Sequence, residues 1–179
     1  MQNKILLHSC CAICSAYPIQ KLKEMGYDVV SYFYNPNIFP QEEYSKRLNA
    51  HKKLCEQNKV ELIEGDYDIE TFYSICKGLE QEPEKGKRCD KCFELRLLAT
   101  AKLAKKLNIK EFTTSIVISP HKNFLKLSQI GETIAKEYEL TYKAIDFKKQ
   151  DGFLKTNQIS KEMELYRQNY CGCEFSIRK

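Results

Sequence analysis

Three short cysteine motifs stand far apart in the chain: Cys10-Cys11-x-x-Cys14, Cys89-x-x-Cys92 and Cys171-x-Cys173. Sulfurs spaced in this way can hold one ion or cluster together, or exchange with one another. Cysteines that serve only as small apolar residues fall instead at helical or strand periods. Cys55 follows that second pattern with Tyr44, Leu48 and His51, and Cys76 follows it with Ile69, Phe72 and Leu79. The three motifs therefore point to metal binding or redox chemistry, and the other two cysteines to the core.

Each motif suggests its own chemistry. Cys89-Asp90-Lys91-Cys92 suits structural zinc, an iron–sulfur cluster or thiol exchange. An apolar stripe of Phe93, Leu97, Ala101 and Ala104 continues from it, so this pair is expected to open a helix, whose dipole favours thiolates. Adjacent Cys10 and Cys11 seldom close an unstrained disulfide, yet both can turn toward one polynuclear cluster. If the Cys10-Cys11 and Cys89-Cys92 pairs share a centre, four sulfurs complete a [4Fe-4S] site. Cys14 is a candidate ligand for a further metal, with simple packing as the alternative. Cys171-Gly172-Cys173 has the spacing of a small strained disulfide, which is labile and redox-active, or of a second pair of metal ligands.

These motifs need elements to position them. Lys4 to His8 reads as a strand running into the first cysteines, and Ala12 to Met25 as a helix closed by Gly26. Further strands are expected at 28–34, 60–63, 111–118 and 141–145, with helices at 41–58, 68–79, 92–107 and 123–137. Alternation of this kind predicts one α/β domain over residues 1–179, a mostly parallel sheet with helices on both faces. Ligands of such sheets bind beyond the carboxyl ends of the strands, where the first cysteines, Asn35-Pro36-Asn37 and Ser119-Pro120-His121-Lys122 all fall. His8 and His121, at strand ends, are the candidate histidines for acid–base or phosphate work, and His51 reads as a packed or surface residue.

The 179 residues carry 29 Lys and Arg against 24 Asp and Glu, a net charge of +5 that favours an anionic partner. Lys85, Lys87, Arg88, Lys91 and Arg96 surround the second cysteine pair, as phosphate contacts would. Tyr32, Phe33, Tyr34 and Phe39 are candidates for stacking on bases, Phe39 foremost because it lies past the proline turn. No apolar run spans a membrane and no secretory leader pattern opens the chain, so a cytoplasmic protein without a membrane partner is expected. In a reducing cytosol nine cysteines are not a disulfide framework.

Taken together, CCAIC at Cys10 to Cys14, NPNI at Asn35 to Ile38, RCDKCFELR at Arg88 to Arg96, SPHKN at Ser119 to Asn123 and YCGCEFS at Tyr170 to Ser176 make the chain resemble the cobalamin-independent epoxyqueuosine reductase family (QueH). The likeness spans almost the whole chain, although Ile13 stands where that family's first motif generally has proline. The resemblance implies an adenine-nucleotide-hydrolase-like fold. It also implies reduction of epoxyqueuosine to queuosine at the wobble position of tRNA. It makes Cys10, Cys11, Cys89 and Cys92 the iron–sulfur ligands of a [4Fe-4S] cluster and Cys171 with Cys173 the redox-active pair. Beside the resemblance, an additional iron ion near Cys14, proton delivery by His8, His121 or Asp90, and an unidentified electron donor are expected. The first loop reads HSCCAICS rather than a glycine-rich phosphate cradle, so ATP hydrolysis is not expected. Two rival readings are a structural zinc-containing RNA-binding module and a general thiol-disulfide oxidoreductase.

Overall fold

The computed structural model describes residues 2–177. Five parallel strands form one sheet in the order β3-β2-β1-β4-β5: β1 (Lys4–His8), β2 (Asp28–Phe33), β3 (Glu61–Glu64), β4 (Glu111–Thr114) and β5 (Thr141–Tyr142). Ile5, Leu6 and Leu7 of central β1 are fully buried, as a strand covered on both faces requires. Edge strand β3 alternates little and stays half exposed.

Six helices cover the sheet: α1 (Ala12–Glu24), α2 (Gln41–Asn58), α3 (Ile69–Cys76), α4 (Lys87–Lys106), α5 (Phe124–Tyr138) and α6 (Gly152–Glu162). Helix α1 packs against α2 and α6, while α4 packs against α3 and α5. These are the two layers expected of right-handed crossovers. Strand order reverses between β1 and β4, so the loops leaving these two strands diverge and open a crevice at the carboxyl end of the sheet.

Most expected elements fall near where the residue pattern places them, although β5 stops at Tyr142 rather than at residue 145 and α3 at Cys76 rather than at residue 79, and three further differences bear on the site. The segment after Thr114 leaves the sheet as a 3-10 turn over Ser115–Ile118, because the Thr114 hydroxyl captures the Ile116 N–H. Helix α4 starts five residues early, at Lys87, which places Cys89 and Cys92 in its first two turns. Helix α6 was not expected at all. Gly152, its first residue, sits so close to Phe147 that a Cβ there would lie 1.6 Å from the Phe147 carbonyl oxygen.

Helix α6 matters because it enters the backbone ladder of α1. The Thr156 hydroxyl accepts from the Tyr17 N–H at 3.2 Å and donates to the Ile13 carbonyl, bridging two groups that an undisturbed helix would pair directly. The first turns of α1, which carry Cys14, are thereby pinned by an element more than a hundred residues away.

A second buried chain supports the loop before Cys10. Ser9 Oγ lies 2.7 Å from Ser31 Oγ, which lies 2.7 Å from His51 Nε2. His51 Nδ1 has no partner among the described residues. Burial lowers the His51 pKa to about 4, so the ring stays neutral. The unfolded chain takes up a proton near pH 6.5 while the native state resists down to about 4. This site therefore costs stability as pH falls through that window, about 2 kcal/mol by pH 5. In urea unfolding, His51→Gln should lose correspondingly less stability than the parent between pH 7 and pH 5, and equal losses would refute the assignment.

Candidate functional site

The end of β1 delivers the first motif into the crevice. Cys11 caps α1, its sulfur accepting the Cys14 N–H at 3.3 Å. Ser115, from the far side of the strand-order reversal, accepts the Cys10 N–H at 3.1 Å and lies 3.4 Å from the Cys10 sulfur. Ser15 Oγ donates to the Cys11 carbonyl at 2.7 Å. The result is a compact triad: the sulfurs of Cys10, Cys11 and Cys14 all lie within 4.8 Å of one another. Hydrogen bonds from the Cys11 and Cys14 thiols, followed by Ser115 and Arg96, hold the Cys10 thiol well below its ordinary pKa. By the same bonds Cys11 is pushed up to about 12, and Cys14 well above the usual thiol range. Three crowded soft donors sharing one negative charge are a metal-binding set, since a cation would relieve their mutual repulsion and take all three as thiolates.

Helix α4 contributes the second motif. Cys89, Cys92 and Arg96 recur on one helical face, and the Cys89 sulfur accepts the Lys85 N–H at 3.2 Å. Burial raises both thiols, Cys92 to about 12. These two sulfurs line a small void of about 20 Å³ together with Cys171 and Cys173. The Cys10–Cys11–Cys14 triad opens instead into a cavity of about 490 Å³, the main cavity of this site. Asn37, Arg96, Lys122 and Cys171 line both spaces and so form the wall between them.

The third motif arrives on a strap held by a buried ion pair. Arg47, almost fully buried, bonds Glu43 at 2.8 Å through Nε. It then donates to the carbonyls of Cys171 at 2.8 Å and Tyr170 at 3.0 Å. The Tyr170 ring lies under the guanidinium, 5.0 Å from its centre, and the Tyr166 hydroxyl donates to Glu43 at 2.8 Å. The Phe39 N–H donates to the Gly172 carbonyl at 2.8 Å. Gly172 has φ +144°, and a Cβ there would meet the Arg47 guanidinium at 2.9 Å, so the turn requires glycine. Both cysteines are free thiols: Cys171 is exposed, with Lys122 Nζ at 3.3 Å, and Cys173 is buried beside Ser176.

Other expected residues are placed less centrally. His121 is exposed and lines the main cavity. Asp90 forms an ion pair with Lys126 at 2.9 Å and lines neither space. His8 is fully buried. Its Nε2 donates to the Tyr34 carbonyl at 2.9 Å and its Nδ1 accepts from Thr114 at 3.0 Å, and burial lowers its pKa to about 4. It therefore braces the strand ends. Tyr32, Phe33 and Tyr34 are core residues, and Phe39 is half-buried against the strap. Of the five basic residues around Cys89, Lys85, Lys87 and Lys91 face solvent, whereas Arg88 and Arg96 are buried. Arg88 donates to the carbonyls of Leu79, Glu80 and Glu82, pinning the polar excursion before α4. Composition alone missed Arg47, although Glu43 and Arg47, and later Tyr166 and Tyr170, share a four-residue spacing that marks paired helical or looped partners.

Comparison with known proteins agrees with this geometry. The family model for epoxyqueuosine reductase QueH matches residues 5–179. Curated relatives named epoxyqueuosine reductase QueH include one from Helicobacter pylori, 40% identical over 97% of this chain and 49% of its own length. Another, from Acinetobacter baylyi, is 38% identical over 98% of this chain and 81% of its own length. A third, from Thermotoga maritima, is 34% identical over 97% and 90%. The chain thus spans about half of the first of these proteins and most of the other two. Among solved structures, the U34-tRNA thiolase NcsA from Methanococcus maripaludis with its [4Fe-4S] cluster has the same fold, with TM-score 0.63 and 13% identity over 99% of this chain and 62% of that one.

Proposed function

Because the chain belongs to the epoxyqueuosine reductase QueH family, we propose that it reduces the epoxide of epoxyqueuosine in tRNA to the cyclopentene of queuosine. The observation that carries this reading is the cavity itself, in which a metal-binding thiol triad and the Cys171 thiol share one space at the carboxyl end of the sheet.

The reaction removes one oxygen with two electrons and two protons. A Cys171–Cys173 dithiol supplies both: its oxidation to the disulfide balances the conversion of the epoxide to an alkene and water. An external thiol-class reductant then restores the pair. Lys122 Nζ lies 3.3 Å from the Cys171 sulfur and sets a cation against the reacting thiol. His121 on the cavity rim carries protons between solvent and the reacting oxygen, whereas Asp90 is tied to Lys126 of α5 away from both spaces. Exposed Lys85, Lys87 and Lys91 take the phosphates flanking the modified base.

Cys10, Cys11, Cys89 and Cys92 would hold a [4Fe-4S] cluster, with Cys14 available to an additional iron ion. A polynuclear cluster sets its thiolates farther apart than a single ion does, which accommodates ligands drawn from two neighbouring spaces. Such a centre supplies single electrons and an oxygen-seeking iron. The close spacing of the triad alone would also suit one tetrahedral ion, which favours structural zinc as the second reading.

The test is anaerobic purification with analysis of iron, acid-labile sulfide and zinc, followed by turnover of epoxyqueuosine-containing tRNA. The expected result is iron and sulfide in equal amounts and conversion to queuosine, with Cys171→Ser unable to complete repeated turnovers. A colourless zinc protein without conversion would overturn the reading.

A further inference from the structure

Arg96 is a buried cation without a carboxylate. It is 5% exposed, and among the described residues no Asp or Glu oxygen lies within 4.0 Å of it. Its hydrogen bonds are few and long: Nε to the Cys92 carbonyl at 3.4 Å and Nη1 to Asn35 Oδ1 at 3.3 Å. Asn35 is itself fixed by donating to the Ser9 carbonyl at 2.9 Å, which leaves it no freedom to improve the contact. The Phe93 ring, 5.7 Å away, adds a weak cation–π contact. An isolated buried charge is costly unless paired, and two neutral acceptors do not pair it.

The surroundings of this guanidinium are sulfur. Arg96 lines the main cavity with the triad on one side and the small void with Cys89, Cys92, Cys171 and Cys173 on the other. Neutral His8, fully hydrogen-bonded, offers no counter-charge, and Lys122, in the same wall, is a second cation that lies against the Cys171 sulfur.

We propose that Arg96 is the counter-cation shared by the sulfurs on its two sides, a positioning residue that raises the reduction potential of the metal centre assigned to Cys10, Cys11, Cys89 and Cys92 and of the Cys171–Cys173 pair together. The physical basis is Coulombic. A fixed positive charge in a low-dielectric wall favours whichever redox state carries more negative charge, and it does so for both neighbours at once. The proposal rests on the redox reading given above, and its test separates the two.

Parent, Arg96→Gln and Arg96→Lys proteins are compared in two measurements. One is a spectroelectrochemical titration of the metal chromophore. The other equilibrates metal-free protein with glutathione buffers and counts the Cys171–Cys173 disulfide by mass. In R96Q both midpoints should fall by at least a tenfold change in the oxidised-to-reduced ratio, about 59 mV for a one-electron centre and about 30 mV for the two-electron pair. R96K should recover most of both shifts. Unchanged midpoints in R96Q, or a shift confined to one centre, would overturn the proposal. So would a shift that R96K fails to recover, because geometry rather than charge would then be responsible. A parent lacking iron and sulfide removes the iron–sulfur reading and leaves the thiol arm decisive. A parent with neither a metal chromophore nor a titrating pair overturns both.

Discussion

Replacing Arg47 with leucine should cost about 3–5 kcal/mol of stability, because it strands the buried Glu43 carboxylate and frees two carbonyls of the strap. For a chain of this size that corresponds to a fall in melting temperature of roughly 6–20 °C. The effect should be local as well as global. The segment from Tyr166 to Cys173 loses both guanidinium hydrogen bonds to its carbonyls, so limited proteolysis should cut there in R47L before the sheet unfolds. Glu43→Gln combined with R47L should regain part of the loss, because the unpaired charge is gone. Repeated turnover should not return with it, because Cys171 still lacks its tether. Wild-type melting and an uncut strap in R47L would show that Phe39 and Tyr170 suffice to hold the third motif.

The second large effect is expected at Cys10. Serine in its place keeps the hydrogen bonds with Ser115 and the size of the side chain but removes a soft donor from the triad. Losing a partner outside the ligands typically costs about 10–100-fold in metal affinity or activity, and losing a ligand should exceed that range. C10S should therefore lose the visible metal–thiolate absorption and more than about 100-fold in turnover, with an unchanged far-ultraviolet circular dichroism spectrum. Cys55→Ala, in the core beside His51, should keep its metal. Retention of full metal content by C10S would move the centre away from the triad.

How much of this was legible in the residues differs by element. Strand β1 and helix α2 fall on their expected limits, because an unbroken buried strand and a long helical period leave little freedom. Helix α6 escaped notice since Asp151-Gly152 reads as a turn. Its purpose, a hydroxyl inserted into the ladder of α1, is tertiary and leaves no periodic trace. The cysteine motifs were plain, because sulfur at short spacing has few uses. The burial of Arg88 and Arg96 was not: a basic run looks the same in sequence whether its members face phosphate, carbonyls or sulfur. Only the fold shows that Arg88 is occupied with backbone and that Arg96 stands between two sets of thiols.

The two thiols of the strap are separated by one glycine yet belong to different environments, Cys171 exposed and Cys173 sealed against Phe72 and Cys92. A reductant dissolved in water can attack only the outer sulfur. The inner sulfur meets nothing but protein. In the thiol exchange proposed above, reducing equivalents would enter at Cys171, the sulfur that bulk solution reaches. The turn at Gly172 is what sets one thiol toward solvent and the other toward the core.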